Sequence, residues 1–322
     1  MLIDFALVAA GLCVLLAGGE FLVRGAVAAA RQLHVPALLI GLTVVAFGTS
    51  APELFVTVQA VLSGDNGIAM GNIVGSNVAN ILLVLGLPAI VSAVSLATPR
   101  LRRHAFAMLV ATAAFCAFAY ATGRIGASAG GVMLGLIAAY LGLIAFDAMR
   151  AGGEADLLAE VEEIGGEQPR WAAPVFLIAG LAALPIGANL LVSSGADIAR
   201  VLGVRDEVIG LTIVAFGTSL PELATVFAAA LKREADVAVG NILGSNIFNL
   251  LFVGGVAGLV GTSQLSGAAL RVDLPVMAAS ALVLAVLVFA RGRIGRGLGV
   301  LFTLAYAGYI VFLGAGGGAG AA

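Results

Sequence analysis

The sequence predicts an all-α membrane protein of about ten transmembrane helices, arranged as two inverted five-helix repeats with broken helices at an ion site. Three observations carry this. Of 322 residues, 61% are hydrophobic and 11% charged, with a mean hydropathy of +1.13, outside the range of soluble domains. Apolar stretches recur along the whole chain. Two long segments, beginning at Gly41 and Gly210, repeat one another at a constant offset of 169 residues.

The stretches lie near 2–23, 36–62, 68–97, 104–122, 127–148, 171–194, 205–231, 237–262, 273–290 and 294–315. Each is long enough to cross roughly 30 Å of hydrocarbon at about 1.5 Å per residue. None alternates with the period of two that a lipid-facing barrel strand needs, so helices are the remaining way to satisfy the backbone in lipid. The chain opens MLIDFALVAA, with Asp4 where a secretory signal carries positive charge and no A-x-A-like site after the run. The first segment is therefore expected to stay on the chain. Cys13 and Cys116 lie within apolar runs, which argues against a disulfide framework and reads as small packing residues. A net charge of −2 without a basic tract gives no reason to expect nucleic acid as a partner, and no obligate protein partner is inferred.

Lys and Arg are retained on the cytoplasmic side during insertion, so their placement sets the orientation. Arg24 and Arg31, the cluster Arg100, Arg102 and Arg103, the pair Arg150 and Arg170, the pair Lys232 and Arg233, and the cluster Arg291, Arg293 and Arg296 fall in alternate connections. The intervening connections hold only Arg124, Arg200, Arg205 and Arg271. With ten spans, both termini are placed outside and the acidic 149–170 linker in the cytoplasm. The expected location is the plasma (inner) membrane. The linker has no EF-hand pattern and reads as solvated chain rather than a calcium sensor. The tail GAGGGAGAA is low-complexity and expected to fray.

Between Gly41–Gly86 and Gly210–Gly255 roughly 25 of about 46 positions are identical without a gap. The chain therefore divides into a first repeat, 1–148, the linker, and a second repeat, 171–322, with the repeated motifs at 41–86 and 210–255. An odd number of spans per half inverts the second half. Such repeats put the substrate site at broken helices near the bilayer midplane.

Each motif carries F-G-T-S-x-P-E inside an apolar run. Pro52 and Pro221 lack an N–H and must open or kink the helix, and Gly48 and Gly217 make opening cheaper. Carbonyls around Ala46 to Thr49 and Ala215 to Thr218 are expected to be freed. A carboxylate follows each proline, Glu53 or Glu222, at a mid-membrane cost of ~2.5–3.5 kcal/mol. One such residue alone reads as a protonated side chain bonded within the bundle. A matched pair beside the hydroxyls of Thr49, Ser50, Thr218 and Ser219 reads as an all-oxygen cage of charge −2, which suits calcium better than magnesium. Zinc is disfavoured, because no His or Cys lies near. His34 and His104 are read as interfacial polar residues in connecting loops.

The second repeated element, G-N-I-x-G-S-N-x-x-N, supplies Ser76 and Asn80 on one helix face, and Ser245 and Asn249 likewise. These four can face the same cage. Asn72, Asn241 and glycines such as Gly71 and Gly75 read as helix-packing residues.

The paired motifs GTSxPE and GNxxGSNxxN resemble the alpha repeats of the cation/calcium antiporter superfamily, especially prokaryotic sodium/calcium exchangers. The resemblance implies electrogenic exchange of sodium for calcium, with both ions as transported substrates and no cofactor. It also implies calcium between Glu53, Glu222 and the carbonyls of Thr49 and Thr218, and sodium on Ala46, Ser50, Ser76, Ala215, Ser219 and Ser245. Members of that superfamily commonly carry an aspartate at one of the positions matching Asn80 and Asn249; here both are asparagine. A calcium/proton antiporter using the same glutamates is the alternative within transport, and a passive cation channel is a more distant one. No Ser/His/Asp or metalloprotease spacing supports an enzyme.

Overall fold

Glycine, proline and short polar links cut the apolar sequence into helices, and the computed structural model describes residues 2–33, 35, 37–151, 169, 171–202, 215–267 and 269–313. The expectations for His34, the linker residues 152–168 and 170, the segment 203–214 and the tail 314–322 lie outside these. The first half contains α1 (Leu2–Leu33), α2 (Ala51–Leu62), α3 (Asn66–Ala79), α4 (Leu101–Thr122) and α5 (Ala127–Ala151). The second contains α6 (Ala172–Val201), α7 (Leu220–Leu231), α8 (Ala235–Ile247), α9 (Leu274–Phe289) and α10 (Arg296–Phe312). The repeat offset carries α2 onto α7 and the start of α3 onto that of α8. Both α3 and α8 run on into π-helical turns, Asn80–Val84 and Phe248–Val253, and then into Gly86–Val91 and Gly254–Val260. Such turns arise where one extra residue is accommodated in a helix, often at functional sites.

Four short strands follow the same rule. β1 (Val94–Ser95) pairs antiparallel with β4 (Arg293–Ile294), and β2 (Arg124–Ile125) with β3 (Ser263–Gln264). Moving by the repeat offset turns β1 into β3 and β2 into β4. The two ribbons thus exchange into one another, and each ties one half to the other.

Among the described residues, seven helices are long and apolar enough to cross a membrane. They become up to eight if Leu38–Thr49 and Ala51–Leu62, bent by 42°, form one span. The Asn66–Val91 and Ala235–Val260 windows are 78% and 83% buried, against 22% for the first and sixth helices. The motif-bearing helices therefore form the centre, and α1 and α6 flank it. These two meet along glycines: a Cβ at Gly25 would lie 2.6 Å from the Leu177 nitrogen, and one at Gly180 2.6 Å from that of Leu22. Small residues permit this close approach, the main source of helix association in lipid.

Three expectations are corrected. His104 is not in a loop; it is buried within α4, and its Nδ1 lies 3.1 Å from the Tyr140 hydroxyl. Cys13 is exposed on α1 rather than packed, whereas Cys116 packs partly against the core; both are free thiols. The tight glycines of the second motif are on α8, where a Cβ at Gly244 would lie 2.6 Å from that of Ala46. Gly71 and Gly75 meet no described residue within 4 Å.

The matched links between motif helices differ in one respect. Gly64 turns with φ 76°, and its counterpart Arg233 adopts φ 61°, a left-handed conformation that disfavours any Cβ. Replacing Arg233 by Gly is expected to stabilise the fold by about 1 kcal/mol. A higher thermal midpoint for the detergent-solubilised variant is the check.

Candidate cation-binding site

The site begins at two matched breaks. Ser50 leaves the helix at φ −83°, ψ 3°, and Ser219 at φ −88°, ψ 3°. Pro52 and Pro221 then fall in the first turn of α2 and α7, where a missing N–H is harmless to the new helix. The missing N–H instead deprives the carbonyl four residues earlier, that of Gly48 or Gly217, of its helical donor. The carbonyl of Ala46 is not freed as expected. It accepts the Ser50 N–H at 3.1 Å, and the Thr49 hydroxyl, which donates to Asn241, lies 3.4 Å away. Gly48 and Gly217 have a packing role as well, because a Cβ there would strike Leu181 or Val192 of α6 at 2.1 and 2.2 Å. Ala215 starts the short turn Ala215–Gly217 that precedes the second break.

Immediately past each break the chain buries a carboxylate: Glu53 is 1% exposed and Glu222 0%. The two interact electrostatically. Ser50 donates across the halves to Glu222 Oε1 at 3.3 Å, and the Thr49 and Ser245 hydroxyls lie near that carboxylate. Glu53 Oε1 and Oε2 and Glu222 Oε2 accept no hydrogen bond from the described residues. No cationic side chain among those residues pairs with either glutamate. Two buried carboxylates with no cationic partner among the described residues are costly, and buried polar atoms without partners call for an explanation.

The turn Asn80–Val84 packs against α7 and the turn Phe248–Val253, which holds Asn249, against α2. Ser76, Ser245, Asn80 and Asn249 are all buried, as are Thr49, Ser50, Thr218 and Ser219. Asn80 donates to Asn246 Oδ1 at 3.1 Å; among the described residues its own Oδ1 has no partner, nor has either amide atom of Asn249. Ser219 Oγ is also without a partner among the described residues. Glu53, Glu222, Ser219, Asn80 and Asn249 therefore each keep a buried oxygen without a hydrogen-bond partner among the described residues. Hard oxygens of this kind match the coordination chemistry of Ca2+ and other hard cations. Among the described residues no cluster of three or more His, Cys, Asp and Glu provides a softer metal site.

The sequence profile of the sodium/calcium exchanger protein family matches residues 3–146 and again residues 172–315. The chain belongs to this family. It is a multi-pass membrane protein and a cation/calcium antiporter. The family match falls on the two halves at the same 169-residue offset as the internal repeat. CaxA of Alkalimonas amylolytica, an antiporter by name, is 38% identical over 96% of this chain and 98% of its own. The inner membrane protein YrbG of Escherichia coli is 36% identical over 97% of this chain and 96% of its own. A solved structure of the sodium-calcium exchanger NCX_Mj, soaked with Na+ and Sr2+, superposes with a TM-score of 0.82 at 32% identity, covering 97% of this chain and 98% of that one.

Asn72 and Asn241, read from the sequence as helix-packing residues, join helices by hydrogen bonds that cross between the halves. Asn241 Oδ1 accepts the Thr49 hydroxyl at 3.2 Å, and Asn72 Oδ1 accepts that of Thr218 at 3.4 Å. Thr57, which no sequence argument singled out, accepts from Asn72 Nδ2 at 2.8 Å. Its signal was present: it lies one helical turn beyond Glu53, on the same face. It escaped because the repeat does not preserve it, Val226 being its counterpart.

Proposed function

We propose that the chain exchanges calcium for sodium by alternating access, with Glu53 and Glu222 sharing one calcium ion. The observation that carries this reading is the pair of buried carboxylates, from matched breaks, with no cationic partner among the described residues and with further unspent oxygens on the elements packed against their helices. A divalent ion between them neutralises the formal charge of −2. The oxygens of Thr49, Thr218, Asn80 and Asn249 complete its shell, within the six to eight that calcium takes. Sodium uses the same carboxylates with the serines Ser50, Ser76, Ser219 and Ser245, and backbone oxygens of Ala46 and Ala215. The bonded state of the Ala46 carbonyl makes it the weakest member of this set. Because both ions need the glutamates, they compete, and competition at one site is what couples opposed fluxes.

Ten spans and an inverted second half belong to the same reading. The apolar helices α7 and α10 supply spans beyond those long enough by themselves, and α7 matches α2 of the bent pair. The exchange of the two strand ribbons under the repeat supports a two-fold relation between halves. The division into 1–148, a 149–170 linker and 171–322 follows the repeat. A plasma-membrane location is in keeping with the name of YrbG. The Lys and Arg distribution puts both termini outside and the linker inside.

Calcium uptake into proteoliposomes tests the coupling ion. An outwardly directed sodium gradient is expected to drive uptake, and a proton gradient of equal size, with sodium absent, is expected not to. Uptake driven by protons alone would make the chain a calcium/proton antiporter, and uptake needing no opposed gradient a channel. Orientation is tested separately in a background lacking Cys13 and Cys116. A cysteine in 152–168 is expected to be labelled only from the cytoplasm and one at 124–126 only from outside; labelling of both from one side contradicts the inversion.

A further inference from the structure

We infer that Asn72 and Asn241 are positioning residues that tie the break of each half to the motif helix of the other, and that Thr57 makes the first tie the firmer. Asn72 sits on α3, one face of which meets α2. Its Nδ2 donates to the Glu53 carbonyl at 3.0 Å and to the Thr57 hydroxyl at 2.8 Å, while its Oδ1 receives Thr218 from the opposite break at 3.4 Å. One amide thus holds the backbone of one glutamate and the side chain of the threonine that precedes the other. Asn241, its counterpart on α8, receives Thr49 at 3.2 Å and Ser245 at 3.3 Å on Oδ1. Its Nδ2 is buried and has no partner among the described residues.

The difference has a named cause. Thr57 and Val226 occupy matched positions, both fully buried, and only Thr57 offers a hydroxyl. In the second half the nearby Thr225 turns its hydroxyl to the Pro221 carbonyl at 2.8 Å instead. An amide fixed at both ends holds its threonine in one rotamer, so the break beside it is pre-organised for the ion. An amide fixed at one end is not. Pre-organisation lowers the cost of binding without adding a contact to the ligand. The inference rests on the paired-glutamate reading and deepens it: Thr57 and Val226 tune calcium affinity although neither is placed among the groups that touch the ion.

The test uses two isosteric substitutions in the full-length reconstituted protein, read as half-saturating calcium and maximal uptake rate. Thr57→Val is expected to raise half-saturating calcium about fivefold, the worth of one buried hydrogen bond, with the maximal rate within about twofold. Val226→Thr supplies the missing hydroxyl and is expected to lower it. Unchanged half-saturation in both variants overturns the inference, and so does a fall in maximal rate alone, the mark of a merely structural role. The Glu53→Gln variant separates the two levels. If it still transports, the site reading fails and the inference falls with it; if it is inactive and the Thr57 and Val226 variants are unshifted, only the inference fails.

Discussion

Glu53→Gln and Glu222→Gln are each expected to abolish calcium transport while leaving the protein at least as stable as the parent. The two halves of this expectation come from the same charge. At an effective dielectric of ~20 and a separation of ~4 Å, a pair of unit charges is worth about 4 kcal/mol, and calcium carries two. Losing one carboxylate therefore weakens calcium by more than about a thousandfold. The same substitution removes a buried charge that no described side chain pairs, so folding loses a penalty rather than a support. An isosteric neutral group also keeps the packing. Uptake and thermal unfolding measured together give the check: lost transport with an equal or higher midpoint is predicted. Lost transport with a collapsed midpoint would assign these residues to folding instead.

The second large effect is expected far from the glutamates, where α1 meets α6. Gly180→Ala places a Cβ 2.6 Å from the Leu22 nitrogen, and Gly187→Ala one 2.8 Å from that of Leu15. Both obstacles are backbone, which cannot rotate away, so the helices must part. Overpacking of this kind costs about 1–3 kcal/mol, and in lipid the close approach is itself the source of helix association. Because α6 also lines both breaks through Leu181 and Val192, a displaced α6 disturbs Gly48 and Gly217 as well. Each variant is expected to lower the thermal midpoint by several degrees and to reduce uptake severely. Gly135→Ala, on an open face of α5, is the control and is expected to leave both unchanged. Tolerance of alanine at Gly180 and Gly187 would show that the α1–α6 seam is looser than described.

Much of this was legible in the sequence because it is written twice. One copy of GTSxPE gives a proline and a costly acid; a second copy at a fixed offset turns the acid into half of a pair. The breaks were readable for a local reason, since proline removes a specific donor whatever its surroundings. What escaped reading depended on contacts between distant segments. Ala46 lies beside the break, yet its carbonyl is taken by the Ser50 N–H. Asn72 and Asn241 read as residues that join helices, but nothing in their spacing shows that each receives a threonine from the opposite half. His104 carries an ordinary interfacial pattern, yet it is buried with Tyr140 of α5 against it. Gly71 and Gly244 belong to the same repeated motif, but only Gly244 meets the opposite half at close range among the described residues.

Equilibrium binding of radioactive calcium to the purified protein tests the shared-ion claim most directly. The account predicts a single high-affinity calcium per chain, displaced by sodium in a competitive manner. It predicts that Glu53→Gln and Glu222→Gln each remove that same ion entirely. A calcium that survives at parental affinity in either variant, or two independent ions each lost in only one of them, would contradict it.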